Sequence, residues 1–219
     1  EMWILGRNET LVLLTIGAFL SKLVLSADVT LFFYYVETEL GVRDTDVAGM
    51  MLVIGILGVL VQAVFLKYLI SLVGERGLLV TSYVSGIVHN LLYGLAPNKS
   101  VIYVGLCLSQ LSNTSGPLLS SLASRNVDDN EQGRMQGALF ALAALAEGIG
   151  PVCFNFVYRN WHLFGRGTMF VVAAMLYGLG TVAVVLIPPK EGGNSDDDDD
   201  DCEKETNVST SRPLLKGRN

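Results

Sequence analysis

Five side chains in this 219-residue sequence sit where polar chemistry and apolar surroundings conflict: Lys22, Asp28, Gln110, Asn113 and Glu147. Each falls inside a long apolar stretch, and a charge at bilayer depth costs about 2.5–3.5 kcal/mol on insertion scales, so Lys22 and Asp28 each have to face a cavity or a partner. Ser21 and Asp28 of the first stretch share a helix face and Lys22 lies about 100° further round, so the two charges do not stack, although a long lysine side chain can reach across. The competing reading has Lys22 snorkelling and Asp28 in water near the membrane surface. Gln110 and Asn113 stand three residues apart, with Pro117 on the same stripe and Ser109, Ser112, Thr114 and Ser115 interleaved. Amides both donate and accept, which suits an uncharged or zwitterionic solute, or else hydrogen bonds between helices. Glu147 precedes Gly148, Gly150 and Pro151 without a visible partner; it reads as a proton carrier, a cavity-lining group or a structural one. The glycine and proline predict a kink or a close helix contact there.

Two further stripes read as packing. Gly55, Gly58 and Gln62 share one face, where small residues let backbones approach, and His89 shares another with Ser82, Ser85 and Tyr93, as a hydrogen-bonded interior histidine. No second His or Cys stands at ligand spacing, so no metal or cofactor site is expected. There is no Walker loop, nucleophile elbow or dinucleotide turn, and the chain does not read as an enzyme or as a partner of nucleic acid.

The elements that position these residues follow from composition. Half the residues are apolar (51%) and 16% are charged, too little polar surface for a globule in water. A bilayer core of about 30 Å needs about 20 helical residues. Six stretches satisfy that length: Thr10 to Tyr35, Val47 to Ile70, Gly77 to Ala96, Ser100 to Ser124, Met135 to Tyr158 and Thr168 to Ile187. The expectation is an all-α membrane bundle over residues 1–189, followed by a tail over 190–219. That tail holds nine acids, including the run Asp196 to Asp201, against five bases, and reads as disordered. The net charge of −6 is therefore mostly a tail property.

An even number of spans puts both termini on one side. Arg7, Lys67, Arg76, Arg125, Arg134 and Lys190 flank that side, against Arg43, Lys99, Arg159 and Arg166 on the other, which predicts cytoplasmic termini. Four glycosylation sequons, at Asn8, Asn98, Asn113 and Asn207, fall on the cytoplasmic side, in a tight loop or inside a helix, and are not expected to be used. The odd set Cys107, Cys153 and Cys202 implies no disulfide framework. Beginning at Glu1 with a long apolar segment close behind, the chain reads as a fragment or C-terminal part.

Two places resemble a known family. The link Lys67-Tyr-Leu-Ile-Ser71-Leu-Val-Gly74-Glu75-Arg76 resembles a degenerate copy of the major facilitator loop signature Gly-x-Leu-Ala-Asp-Arg-x-Gly-Arg-Lys. Leu69 and Gly74 match, while Lys67 and Ser71 replace the first Gly and the Asp. Ser124-Arg125-Asn126-Val127, Glu131-Gln132-Gly133, Gln136-Gly137 and Ala146-Glu147-Gly148-Ile149-Gly150-Pro151 are similar to the loop and eleventh helix of tetracycline-resistance-type exporters and the hippocampus abundant transcript-like proteins.

This resemblance implies that the six helices are the second half of a twelve-helix major facilitator fold, a three-plus-three inverted repeat. The first and fourth would line the central passage, the second and fifth stand beside them, and the third and sixth lie outside. Asp28, Gln110, Asn113 and Glu147 become cavity residues by the same implication. Expected partners are the lipid bilayer, a small-molecule solute, and a missing N-terminal half or a second copy of the chain. The activity implied is secondary active, possibly proton-coupled, transport by alternating access. A membrane scaffold or receptor-like protein that keeps the fold without moving solute is the other class.

Overall fold

The computed structural model describes residues 2–161, 165 and 167–187; the expected acidic tail, 190–219, lies outside the described residues. Helix α1 (Glu9–Leu40) opens the bundle and is followed by α2 (Asp44–Leu60), a π-helical turn (Val61–Phe65), and α3 (Leu66–Gly94). Next come α4 (Lys99–Ser112), α5 (Ser115–Ser124), α6 (Gln132–Asn160) and α7 (Thr168–Val185). Among the described residues, four helical stretches are long and apolar enough to cross a bilayer: Glu9–Leu40, Asp44–Gly94, Asp129–Asn160 and Thr168–Val185. Their outward faces carry Leu52, Ile56, Val59, Val152 and Met175, all largely exposed, as expected of a surface turned to acyl chains rather than water.

Three breaks depart from a row of uniform helices, and each has a residue behind it. Gly41 ends α1 in the left-handed region (φ 60°), with its N–H and that of Val42 on the Val36 carbonyl. The link expected between the second and third stretches contracts to one residue, Gly74 (φ 73°, ψ 165°), a conformation that a side chain would strain. The stretch expected as a single helix from Ser100 to Ser124 is instead divided at Asn113 and Thr114 into α4 and α5. Pro117 contributes to the break: it has no N–H for the carbonyl of Asn113, which removes a rung of the ladder there, and Thr114 N–H bonds to Leu111 (3.2 Å).

Helix α1 is central, packing along α6 and α7 and against α5, while α3 runs along α4 and α7. Close approach depends on glycines. A Cβ at Gly86 would lie 2.6 Å from the Tyr177 ring and one at Gly180 would lie 2.5 Å from Tyr83, so α3 and α7 exchange a tyrosine for a glycine in both directions. The two tyrosine rings meet edge to face at 5.7 Å. A Cβ at Gly150 would reach 2.6 Å from the carbonyl oxygen of Leu23, which brings α6 onto the backbone of α1. That bears out the close contact expected around Pro151.

Ion pairs tie the two ends of the bundle. At the end holding Arg7, that side chain pairs with Glu131, Arg125 reaches Glu75 (2.7 Å), and Arg76 donates to the Val185 carbonyl (2.9 Å). At the far end of α1, Lys99 pairs with Asp46 at 3.0 Å, joining the start of α4 to the start of α2. The Lys99 hydrogen bond, then that from the Arg43 N–H, holds the Asp46 carboxyl below the usual carboxylate range.

Candidate functional site: two cavities beside α1

The first cavity, about 540 Å³, opens between α1, α5 and α6, and is lined by Lys22, Pro117, Ser120, Gln136, Phe140 and Glu147 among others. Lys22 Nζ stands 3.8 Å from Glu147 Oε1, with 34% of the lysine side chain and 56% of the glutamate side chain exposed. At that separation the pair attracts by charge without a short hydrogen bond, so both groups keep donor and acceptor capacity for a third molecule. Glu147, which the sequence shows without a partner, therefore has one across 125 positions of chain. The polar end of the cavity is organised by Gln136: Ser120 Oγ donates to its Oε1 (2.6 Å), and its Nε2 donates to Ser124 Oγ (2.7 Å).

Glu147 is also held through its backbone. Pro151 has no N–H for the Glu147 carbonyl, and Ser26 Oγ of α1 donates to that oxygen at 2.9 Å. The serine replaces the missing rung of α6 and sets the register in which Lys22, one turn earlier on α1, meets Glu147.

The second cavity, about 330 Å³, lies among α1, α2, α3, α4 and α7, and is lined by Asp28, His89, Tyr93, Gln110, Asn113 and Tyr177 among others. Asp28 Oδ2 is 3.5 Å from His89 Nε2, with 14% of the aspartate side chain and 3% of the histidine side chain exposed. His89 Nδ1 faces the Ser85 carbonyl at 3.0 Å, which agrees with a hydrogen-bonded interior histidine. Gln110 is buried and turned back on its own helix, its Nε2 donating to the Leu106 carbonyl (3.4 Å) and to Ser109 Oγ (3.2 Å). Its Oε1 lies 3.1 Å from where a Cβ of Gly58 would stand, so the small-residue stripe of α2 makes room for this amide.

The five sequence-selected residues thus divide. Lys22 and Glu147 share one cavity; Asp28, Gln110 and Asn113 share the other. Sequence reasoning missed Ser26, Asn90 and Ser120 as site residues, and read His89 as a hydrogen-bonded interior histidine rather than a ligand. Pro151 was the available signal for Ser26, because a proline four residues after Glu147 leaves one carbonyl needing a donor; for Asn90, adjacency to His89 is the only sequence cue.

Apolar outer faces, several bilayer-length helices and polar groups collected in internal cavities define a multi-pass integral membrane protein of helical type. The Major Facilitator Superfamily model matches residues 14–217, and the chain belongs to that superfamily. It is similar to hippocampus abundant transcript-like protein 1 of Bos taurus, 27% identical over 158 residues that cover 72% of this chain and 32% of the relative. The same protein of Homo sapiens is 25% identical, over 72% of this chain and 31% of the relative. The tetracycline resistance protein, class H, of Pasteurella multocida is 26% identical over 74% of this chain and 40% of its own length. The chain therefore spans about a third of the length of the first two relatives.

Proposed function

We propose that this chain is a six-crossing half of a secondary transporter that carries a small organic solute by alternating access. The observation that carries this reading is the half-exposed Lys22–Glu147 pair inside a cavity of about 540 Å³. Two opposite charges placed in a space of that size, next to the Gln136 amide, suit a solute with both charged and hydrogen-bonding groups. Similarity to a tetracycline resistance protein supports a small organic molecule as the cargo class.

In this reading α2 with the first turns of α3 is the second crossing, the remainder of α3 after Gly74 is the third, and α4 with α5 forms the fourth. Both termini face the cytoplasm, which puts the Glu75–Arg125 and Arg7–Glu131 pairs on that side. The exposed apolar faces of α2 and α6 meet either an N-terminal six-helix half or a second copy of the chain, and the passage runs between the halves. Solute coupling to a proton gradient belongs to the same proposal.

The test uses the full-length protein reconstituted in vesicles. Glu147→Gln and Lys22→Gln should each reduce solute flux while insertion and thermal stability stay close to wild type. A cysteine placed at position 147 should react with a water-soluble reagent in at least one state. Wild-type flux in both variants, with position 147 sealed from the reagent, would favour a scaffold that has the fold without the transport.

A further inference from the structure

Asp28 brings a carboxylate into the second cavity, and among the described residues no lysine or arginine pairs with it; Lys22, the other charge of that part of α1, stands 3.8 Å from Glu147 in the first cavity. His89 does not supply a positive charge either, although its Nε2 is 3.5 Å from Asp28 Oδ2. Its Nδ1 lies 3.0 Å from the Ser85 carbonyl, which can only accept, so Nδ1 carries a hydrogen. Asn90 Nδ2 donates to the Gly86 carbonyl at 3.0 Å, which fixes the donor end of that amide, and the same Nδ2 is 2.9 Å from His89 Nε2. A hydrogen on Nε2 would face that donor, so Nε2 accepts and the ring is a neutral imidazole. The Asn90 amide hydrogen-bonds Asp28 as well, which solvates the carboxylate without balancing its charge.

The rest of the lining suits a cation. Phe32, Phe33, Tyr93 and Tyr177 border the same space of about 330 Å³ as Asp28, and aromatic rings attract cations through their quadrupole, the more strongly where water is scarce. Phe32 and Tyr93 pack at 4.7 Å between ring centres, which joins α1 to α3 along one aromatic wall. A neutral acceptor stands with them: buried Gln110 gives its Nε2 to the Leu106 carbonyl and to Ser109 Oγ, while its Oε1 accepts no hydrogen bond among the described residues. One carboxylate, one amide oxygen and four aromatic rings match an organic cation better than a metal ion, and among the described residues no three His, Cys, Asp or Glu side chains gather as ligands.

We propose that the second cavity is a binding site for a small organic ammonium that bears an aromatic tail. The ammonium donates one N–H to the Asp28 carboxylate as a charge-assisted hydrogen bond and another to Gln110 Oε1. The tail lies among Phe32, Phe33, Tyr93 and Tyr177. Ser85 and Asn90 are positioning residues: by holding His89 as a neutral ring they leave the negative charge of Asp28 to the ligand. The site is separate from the Lys22–Glu147 cavity, where the carboxylate already has a cation across from it, and it does not rest on the transport reading.

The experiment is calorimetric titration of the full-length protein in nanodiscs of zwitterionic lipid with phenethylammonium, the heat from empty nanodiscs being subtracted. Saturable binding is expected, with 2-phenylethanol, the neutral molecule of the same shape, binding about tenfold or more weaker. Asp28→Asn should weaken phenethylammonium by about tenfold or more. Gly55→Leu fills the same cavity from α2, at a position where a Cβ has nothing within 4 Å, and should abolish binding while Asp28 keeps its own contacts. This second variant keeps the test decisive if Asp28→Asn does not fold. Glu147→Gln should bind phenethylammonium as the wild type does. No saturable binding, wild-type affinity in either folded cavity variant, equal affinity for the alcohol, or loss of binding in Glu147→Gln would overturn the proposal. No flux enters the measurement, so its failure leaves the transport reading standing.

Discussion

Ser26 of α1 donates its hydroxyl hydrogen to the backbone carbonyl of Glu147 on α6, 2.9 Å away, at the rung of the helix that Pro151 leaves open. One proline therefore creates both an unsatisfied acceptor and the means of locking two helices in register, since only a donor from the neighbouring element can reach it. The same contact holds the Glu147 side chain at the level of Lys22.

The Ser26 bond and the proline should be energetically coupled. Ser26→Ala alone should destabilise the folded protein by about 0.6–1.7 kcal/mol, the range of interhelical hydrogen bonds in membranes. In a Pro151→Ala background the helix regains its own N–H donor for Glu147, and the same serine substitution should then cost markedly less. A double-mutant cycle read by denaturant unfolding in mixed micelles checks this; additive effects would mean the two residues act independently.

Neighbouring glycines of α6 should respond differently to a methyl group. A Cβ at Gly150 meets the Leu23 carbonyl oxygen at 2.6 Å, whereas one at Gly148 has nothing within 4 Å. Gly150→Ala should lower stability by about 1–3 kcal/mol as α1 and α6 are forced apart. Gly148→Ala should be neutral or slightly stabilising, because it removes helix-interior glycine entropy. Thermal unfolding of the two variants side by side makes the comparison.

Charge order in the first cavity should matter less than charge pairing. Lys22→Glu alone places two acids together and should cut flux by about tenfold or more, an effect of about 1.4 kcal/mol. Combining it with Glu147→Lys restores an opposite pair across the same 3.8 Å gap and should recover a measurable part of the activity. A double variant no better than the single ones would show that Lys22 and Glu147 act on the solute separately.

Acid should loosen one end of the bundle first. Asp46 has its folded-state value depressed below the unfolded 3.8 by Lys99 and the Arg43 N–H. A depressed carboxylate contributes stability that is present above the unfolded value and disappears as pH falls through the folded one. Amide exchange at the starts of α2 and α4 should therefore accelerate below about pH 4 in the wild type, over and above the intrinsic pH trend. In Lys99→Gln that extra acceleration should shrink. Equal pH profiles in the two proteins would remove Asp46 from the account.

Much of the class of this protein is legible in sequence alone. Hydropathy is a local and nearly additive property, so long apolar windows announce bilayer-length helices whatever surrounds them. The same logic picked out Lys22, Asp28, Gln110, Asn113 and Glu147, because a polar group at depth is costly wherever it sits. Pro151 and Gly150 likewise foretold a tight contact in α6. The division of the fourth stretch at Asn113 was within reach too, since Pro117 stands four residues on, but proline inside an apolar run often leaves a helix continuous, as it does in α6.

Which polar group meets which was decided only by tertiary structure. Helical periodicity says that Lys22 and Asp28 point about 120° apart, but not that Lys22 meets a residue of α6 and Asp28 one of α3. Only the tertiary packing, with α1 along α6 and α7 and with α3 along α7, pairs Lys22 with Glu147 and Asp28 with His89, and so makes two cavities where the sequence suggested one set of residues. The physical reason is that burial preference belongs to a residue and its near neighbours, while a contact between residues more than sixty positions apart depends on which helix faces can approach each other.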